Sequence, residues 1–150
     1  MTTNRLRKTH QGTTVADIMT GNPLTMSVSE TVGQASDLMS EYRIRQLPVV
    51  EGRELLGIVT DRDLRSFLDA AILSDPQARE KALATEVQEI MTTNPLVLSP
   101  DDDLQEAIEL LIEEKIGGIP VVEEVEGLVG IVTYVDVLRC FLGLLNETPR

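Results

Sequence analysis

Residues 15–51 and 87–123 align without a gap at an offset of 72, and 16 of the 37 positions are identical. Ile18-Met19-Thr20 matches Ile90-Met91-Thr92, Asn22-Pro23-Leu24 matches Asn94-Pro95-Leu96, and Pro48-Val49-Val50 matches Pro120-Val121-Val122. Unrelated positions agree only about one time in fifteen at average residue usage, so the repeat is not a chance match. After one extra residue the offset becomes 73, and Gly57-Ile58-Val59-Thr60-Asp61-Arg62-Asp63 faces Gly130-Ile131-Val132-Thr133-Tyr134-Val135-Asp136. Each copy is too short to bury its apolar faces well alone. The expectation is two half-domains packed about a pseudo-twofold axis, enclosing a shared cleft.

The 150 residues are 42% hydrophobic, as in a globular protein, and carry a formal charge of −12. That charge repels nucleic acid and anionic lipid headgroups over the molecule as a whole. The one basic run, Arg5-Leu6-Arg7-Lys8, lies in a polar lead-in read as a solvated tail. Charge is shared unequally: residues 15–64 hold eight acids and four arginines, residues 87–138 twelve acids and only Lys115. An anion should therefore prefer groups of the first copy. No run reaches the roughly 18 continuous apolar residues of a membrane helix, and the N-terminus lacks a basic-then-apolar signal pattern, so the expected location is cytoplasmic and no membrane partner is expected. Cys140 is the single cysteine, read as a small core residue, and it is far in sequence from the only histidine, His10. A Cys/His metal site or nucleophile pair is poorly supported.

The pattern divides the chain into a tail at 1–13, a first motif at 14–73, a connector at 74–86, a second motif at 87–145 and a tail at 146–150. In the first motif, a capped turn at Val15–Met19 precedes a strand at Leu24–Val28. A helix follows with Val32, Ala35, Leu38, Met39 and Tyr42 on its buried face. Leu47–Val50 and Leu55–Val59 read as a hairpin around Gly52, and a second helix from Asp61 to about Leu73 carries Leu64, Phe67, Leu68, Ala71 and Ile72 inward. The second motif repeats this order, with a strand at Leu96–Leu98, a helix at 102–115 whose buried face holds Leu104, Ile108, Leu111 and Ile112, a hairpin at 120–132 and a final helix at 135–145. Strand, helix, two strands and helix, twice over, mean an α/β fold.

The most telling element is the end of each hairpin, where Thr60 or Thr133 closes a strand and Asp63 or Asp136 follows three residues later. A strand that turns straight into a helix sets a hydroxyl beside free N–H groups, which stabilise an anion. A carboxylate at that spacing can accept both hydroxyls of a ribose. The same Thr-x-x-Asp spacing also makes a helix capping box. Its recurrence at one place in both copies tilts the balance toward a site. Asp101-Asp102-Asp103 reads as helix capping rather than a cation site, and Glu123-Glu124 with Glu126 as a charged hairpin tip.

These three motifs, in order and twice, resemble the CBS domain in its tandem arrangement, the Bateman module, over nearly all of residues 14–145. The resemblance implies two βαββα units packed with pseudo-twofold symmetry and up to two clefts for adenosine-containing ligands: AMP, ADP, ATP or S-adenosylmethionine. By that resemblance Asp63 and Asp136 hold ribose hydroxyls, and Thr60 and Thr133 approach phosphate or ribose. The adenine slot is then lined by Thr20, Pro23, Leu24 and Thr25 with Ile44, Arg45 and Gln46. In the second copy it is lined by Thr92, Pro95, Leu96 and Val97 with Ile116, Gly117 and Gly118.

The copies differ where it matters. Gly117-Gly118 leaves backbone open to a flat base, whereas Arg45 and Gln46 either fill the slot or reach a phosphate. For Arg43 and Arg45 a solvated helix end and a phosphate contact stand level. Arg62 favours phosphate and its counterpart Val135 offers no charge, so two unequal sites are expected. The resemblance implies a homodimer, with Phe67-Leu68 and 141–145 as contact surfaces or as closure of the internal core. The leading reading is a non-enzymatic regulatory module, with no required cofactor, that binds an adenine nucleotide with or without Mg²⁺ and signals occupancy to a partner protein. The alternative is a protein-interaction or dimerisation module with vestigial clefts. A nucleotide-acting enzyme ranks last, because no catalytic constellation is evident.

Overall fold

The computed structural model describes residues 13–147. The basic run and His10 lie outside them. The elements are α1 (Val15–Ile18), β1 (Thr20–Gly21), β2 (Met26–Ser27), α2 (Val32–Tyr42), β3 (Gln46–Glu51), β4 (Glu54–Thr60), α3 (Asp61–Ser74), α4 (Arg79–Leu83), β5 (Thr92–Thr93), α5 (Leu104–Glu114), β6 (Gly118–Glu123), β7 (Gly127–Thr133) and α6 (Tyr134–Glu147). Short 3₁₀ turns at Pro76–Ala78 and Val87–Glu89 complete the connections.

The compact units are not the two repeats. A central unit runs from Pro23 to Pro95, and a split unit joins the segment ending at Asn22 to the chain from Leu96 onward. The central sheet has the order β2-β3-β4-β5, with β2 parallel to β3 and the other pairs antiparallel. The split sheet has the order β1-β7-β6, all antiparallel. A lone parallel bridge from Leu98 to Val121 stands where β2 pairs in the central sheet. Each Ile-Met-Thr segment thus lines the hairpin of the other copy: Thr20 opposes Ile131, and Thr92 opposes Ile58. The sequence repeat at 14–73 and 87–145 and the physical units cut the chain at different places.

Local chemistry accounts for the element boundaries. Thr31 caps α2 in a reciprocal box with Gln34: the Gln34 N–H donates to Thr31 Oγ1 at 3.2 Å, and the Thr31 N–H donates to Gln34 Oε1 at 2.8 Å. The helix ends at Arg43 in the left-handed region, φ 54°, and α5 ends alike at Lys115, φ 53°. A cation there complements the helix C-terminus. The predicted strand at Leu24–Val28 shrinks to Met26–Ser27, and Leu96–Leu98 to its single bridge, because Pro23 and Pro95 withhold a donor beside each run.

Two separate cores follow. The central core gathers Met26, Val32, Ala35, Met39, Leu47, Val49, Val59, Leu64 and Val87. The split core gathers Val15, Leu98, Ala107, Leu111, Ile119, Val121 and Val132. Two predicted core positions are corrected. Tyr42 is 53% exposed at the last turn of α2, and Ile112 is 65% exposed because α5 turns Ala107 and Leu111 inward instead. In α3 only Leu64 is fully buried, with Phe67 and Leu68 packing partly against the core. Cys140 is half-buried and unpaired by disulfide. Among the described residues no helix is long and apolar enough to cross a membrane.

Candidate functional site

Both Thr-x-x-Asp elements fold as capping boxes at the N-termini of α3 and α6. In the central unit the Thr60 N–H donates to Asp63 Oδ2 at 3.0 Å, and the Asp63 N–H donates to Thr60 Oγ1 at 3.1 Å. In the split unit the Thr133 N–H donates to Asp136 Oδ2 at 2.8 Å, the Asp136 N–H lies 3.4 Å from Thr133 Oγ1, and that hydroxyl donates to Oδ2 at 3.1 Å. Each box uses one carboxylate oxygen and leaves Oδ1 outside it. Capping and ligand binding are therefore compatible, since a carboxylate has lone pairs to spare.

The fate of that second oxygen separates the units. Thr20 Oγ1, on β1, donates to Asp136 Oδ1 at 2.8 Å, and Asp136 is 5% exposed. Among the described residues Asp63 Oδ1 accepts no hydrogen bond, and Asp63 is only half-buried. The split-unit carboxylate is committed, whereas the central one presents a free acceptor.

Methionine packing on glycine sets how closely β1 and β5 approach their hairpins. A Cβ placed on Gly130 would lie 2.5 Å from Met19 Sδ and 3.0 Å from the Thr20 carbonyl oxygen. At Gly57 it would lie 2.7 Å from both Met91 Sδ and the Thr92 carbonyl oxygen. Only glycine admits this approach, which brings Thr20 within reach of Asp136. The sequence reading left Met19 and Met91 without a role, although each precedes the threonine of its motif and the facing glycine recurs.

Grouping by copy is thus revised for three residues. Thr20 stands with Thr133 and Asp136 rather than with Asp63, and Thr92 and Pro95 belong to the unit of Thr60 and Asp63. Because the two hairpins are nearly identical in sequence, spacing could not tell which one each threonine would join. Pro23, Leu24, Thr25, Ile44, Arg45, Gln46 and Arg62 lie in the central unit, with Leu24 39% exposed and Arg45 and Arg62 at the surface. Leu96, Val97, Ile116, Gly117, Gly118 and Val135 lie in the split unit, where Gly118 is buried and Val135 is 58% exposed. Asn22 and Asn94 adopt left-handed φ of 46° and 49°, which turns the chain directly after β1 and β5. Asp102 accepts the Ser99 N–H at 2.8 Å in the turn before α5, while Asp103, at the N-cap of that helix, makes no side-chain capping bond. Among the described residues no group of three or more His, Cys, Asp or Glu side chains is placed to hold a metal ion.

The CBS domain family model matches this chain twice, at residues 15–70 and 87–143. The chain belongs to the CBS domain family. A CBS domain-containing protein of Dictyostelium discoideum is 31% identical over 90% of this chain and 95% of its own length. Inosine-5'-monophosphate dehydrogenase of Korarchaeum cryptofilum is 37% identical over 76% of the chain, which spans only 21% of that enzyme. Among solved structures, that of CBSX2 in complex with AMP is 34% identical with a TM-score of 0.74, covering 88% of this chain and 98% of the other. The CBS domain pair of protein MJ0100, in complex with 5'-methylthioadenosine and S-adenosyl-L-methionine, is 28% identical with a TM-score of 0.70 over the same shares. The tandem α/β arrangement of these CBS pairs is the fold that the repeat implied.

Proposed function

We propose that this chain is a regulatory module that binds an adenosine-containing ligand, AMP, ADP, ATP or S-adenosylmethionine, and passes its occupancy to a partner protein. The carrying observation is the doubled capping box, which fixes Asp63 and Asp136 through Oδ2 and leaves Oδ1 outside the box, shared with Thr20 in the case of Asp136. A ribose offers two adjacent hydroxyl donors, and a fixed carboxylate is their natural acceptor. Adenosine-containing ligands held by CBSX2 and MJ0100 support the ligand class. Thr60 and Thr133 approach phosphate or ribose, and Arg62 meets phosphate in the first site only. Contacts to the adenine fall to Pro23, Leu24, Thr25, Ile44, Arg45, Gln46, Thr92 and Pro95 in the central unit and to Thr20, Leu96, Val97, Ile116, Gly117 and Gly118 in the split unit. This role is regulatory rather than catalytic, in the cytoplasm, with Mg²⁺ entering only alongside a polyphosphate.

Isothermal titration with each of the four ligands, with and without Mg²⁺, tests the proposal. Binding that is lost in Asp63→Ala/Asp136→Ala supports it, and no heat at millimolar ligand overturns it.

A second reading, association into a homodimer, is favoured by α6. Leu138, Phe141, Leu142, Leu144 and Leu145 are each more than half exposed on that one helix. Solution mass by light scattering decides it: a dimer that Phe141→Glu converts to monomer supports the reading, and a wild-type monomer refutes it.

A further inference from the structure

The central unit carries a groove of about 420 Å³ between α2 and α3 that does not include Asp63. Its polar lining is Ser36, Ser40, Arg43, Arg45, Asp61 and Arg65, which leaves a surplus of two positive charges in a chain of net charge −12. Two features build it. The left-handed turn at Arg43 ends α2 and starts the return toward β3, and the Asp61 N–H donates to the Arg45 carbonyl oxygen at 2.8 Å, tying the start of α3 to that turn. Asp61 and Arg65 pair at 3.2 Å, one turn apart on α3, and the side chains are 39% and 70% exposed. A pair so exposed holds its guanidinium loosely. Among the described residues neither Arg43 nor Arg45 pairs with a carboxylate. The C-terminal end of α2 and the N-terminal end of α3 contribute opposite partial charges, so the arginines set the sign of the groove.

The fold does not require this lining. By the repeat offset, Ser36, Ser40, Arg43, Arg45, Asp61 and Arg65 correspond to Ile108, Ile112, Lys115, Gly117, Tyr134 and Leu138. There the Tyr134 hydroxyl donates to the Leu111 carbonyl oxygen at 3.3 Å and spans from α6 to α5. At these positions one helix pair carries mostly apolar side chains and a bridging tyrosine, whereas the other is lined by guanidiniums and hydroxyls.

From this we infer that the groove of the central unit is a binding site for a small, multiply charged anion of the phosphate class. Guanidiniums supply paired N–H donors matched to phosphate oxygens, and the serine hydroxyls supply further donors on the α2 side. Binding here is independent of the ribose carboxylates, so it stands whether or not the chain binds adenosine.

The test is titration of the full chain with pyrophosphate, alongside AMP, ADP, ATP and S-adenosylmethionine. Pyrophosphate binding should weaken about tenfold or more in Arg43→Gln/Arg65→Ala, as expected for lost charge-assisted bonds. It should also vanish in Ser40→Glu, which adds a carboxylate at an exposed helix position and leaves the fold intact by circular dichroism. It should persist in Asp63→Ala/Asp136→Ala and fall with added salt. A free anion and the phosphate end of an organic ligand share this chemistry; competition of ATP with pyrophosphate in that aspartate variant identifies the second source, and its absence the first. The inference is overturned if pyrophosphate gives no heat at millimolar concentration, if Ser40→Glu binds it as wild type does, or if the aspartate variant loses it. Failure of AMP, ADP, ATP and S-adenosylmethionine all to bind, with pyrophosphate still bound, refutes the nucleotide proposal and leaves the groove standing.

Discussion

The central and split units share one chain pattern and diverge in two places that chemistry would use. In the split unit Asp136 is buried and both its oxygens are engaged, one by Thr133 and the other by Thr20. In the central unit Asp63 is half-buried and keeps one oxygen free among the described residues. The helix pairs diverge as well: the positions that hold arginines and serines on α2 and α3 hold mostly apolar side chains and Tyr134 on α5 and α6. Backbone symmetry is therefore no guide to equal binding, because a few side chains set the cost of uncovering each acceptor.

The glycine contacts break the comparison most severely. Gly57→Ala drives a methyl against the Thr92 carbonyl, which is backbone and cannot swing aside, whereas Gly130→Ala meets Met19 Sδ first. We expect about 3 kcal/mol of destabilisation at Gly57 and roughly half that at Gly130, read by urea unfolding. Equal losses would show that the two approaches are equally rigid.

Next in size are the carboxylates themselves. Asp136→Ala strands donors from Thr20 and Thr133 in a buried setting and should cost about 2 kcal/mol, against about 1 kcal/mol for Asp63→Ala, which loses a capping box at a more open position. The same unfolding experiment ranks them, and the reverse order would contradict the structure. Smaller still is the threonine pair. Thr20→Val should cost about 1 kcal/mol through its bond to Asp136, while Thr92→Val, which breaks no side-chain bond among the described residues, should lie within about 0.5 kcal/mol of wild type. If ligand binding must displace Thr20, Thr20→Val should also tighten binding at Asp136 several-fold in titration calorimetry.

Much of this was legible in the sequence. Periodicity placed α2, α3, α5 and α6 to within a few residues, and the Thr-x-x-Asp spacing marked both boxes, because each depends on contacts a few residues apart. What stayed hidden depends on long-range choice. Two-residue strands such as Thr20–Gly21 have no periodicity, and two near-identical hairpins offered them equivalent partners, so the exchange of Ile-Met-Thr segments could not be read off. Tyr42 and Ile112 fit a helical stripe yet sit at its edge, where the neighbouring turn decides burial. The groove needed Arg65, Ser36 and Ser40 brought together from two helices, and only the paired charges at Arg43 and Arg45 hinted at it.

The central claim is that the two capping-box carboxylates hold ribose. Calorimetric titration of AMP into wild type, Asp63→Ala, Asp136→Ala and the double variant tests it most directly. The account predicts tighter binding at the uncommitted Asp63, a larger loss in Asp63→Ala than in Asp136→Ala, and no heat from the double variant. AMP binding by the double variant as strong as that of wild type would contradict it.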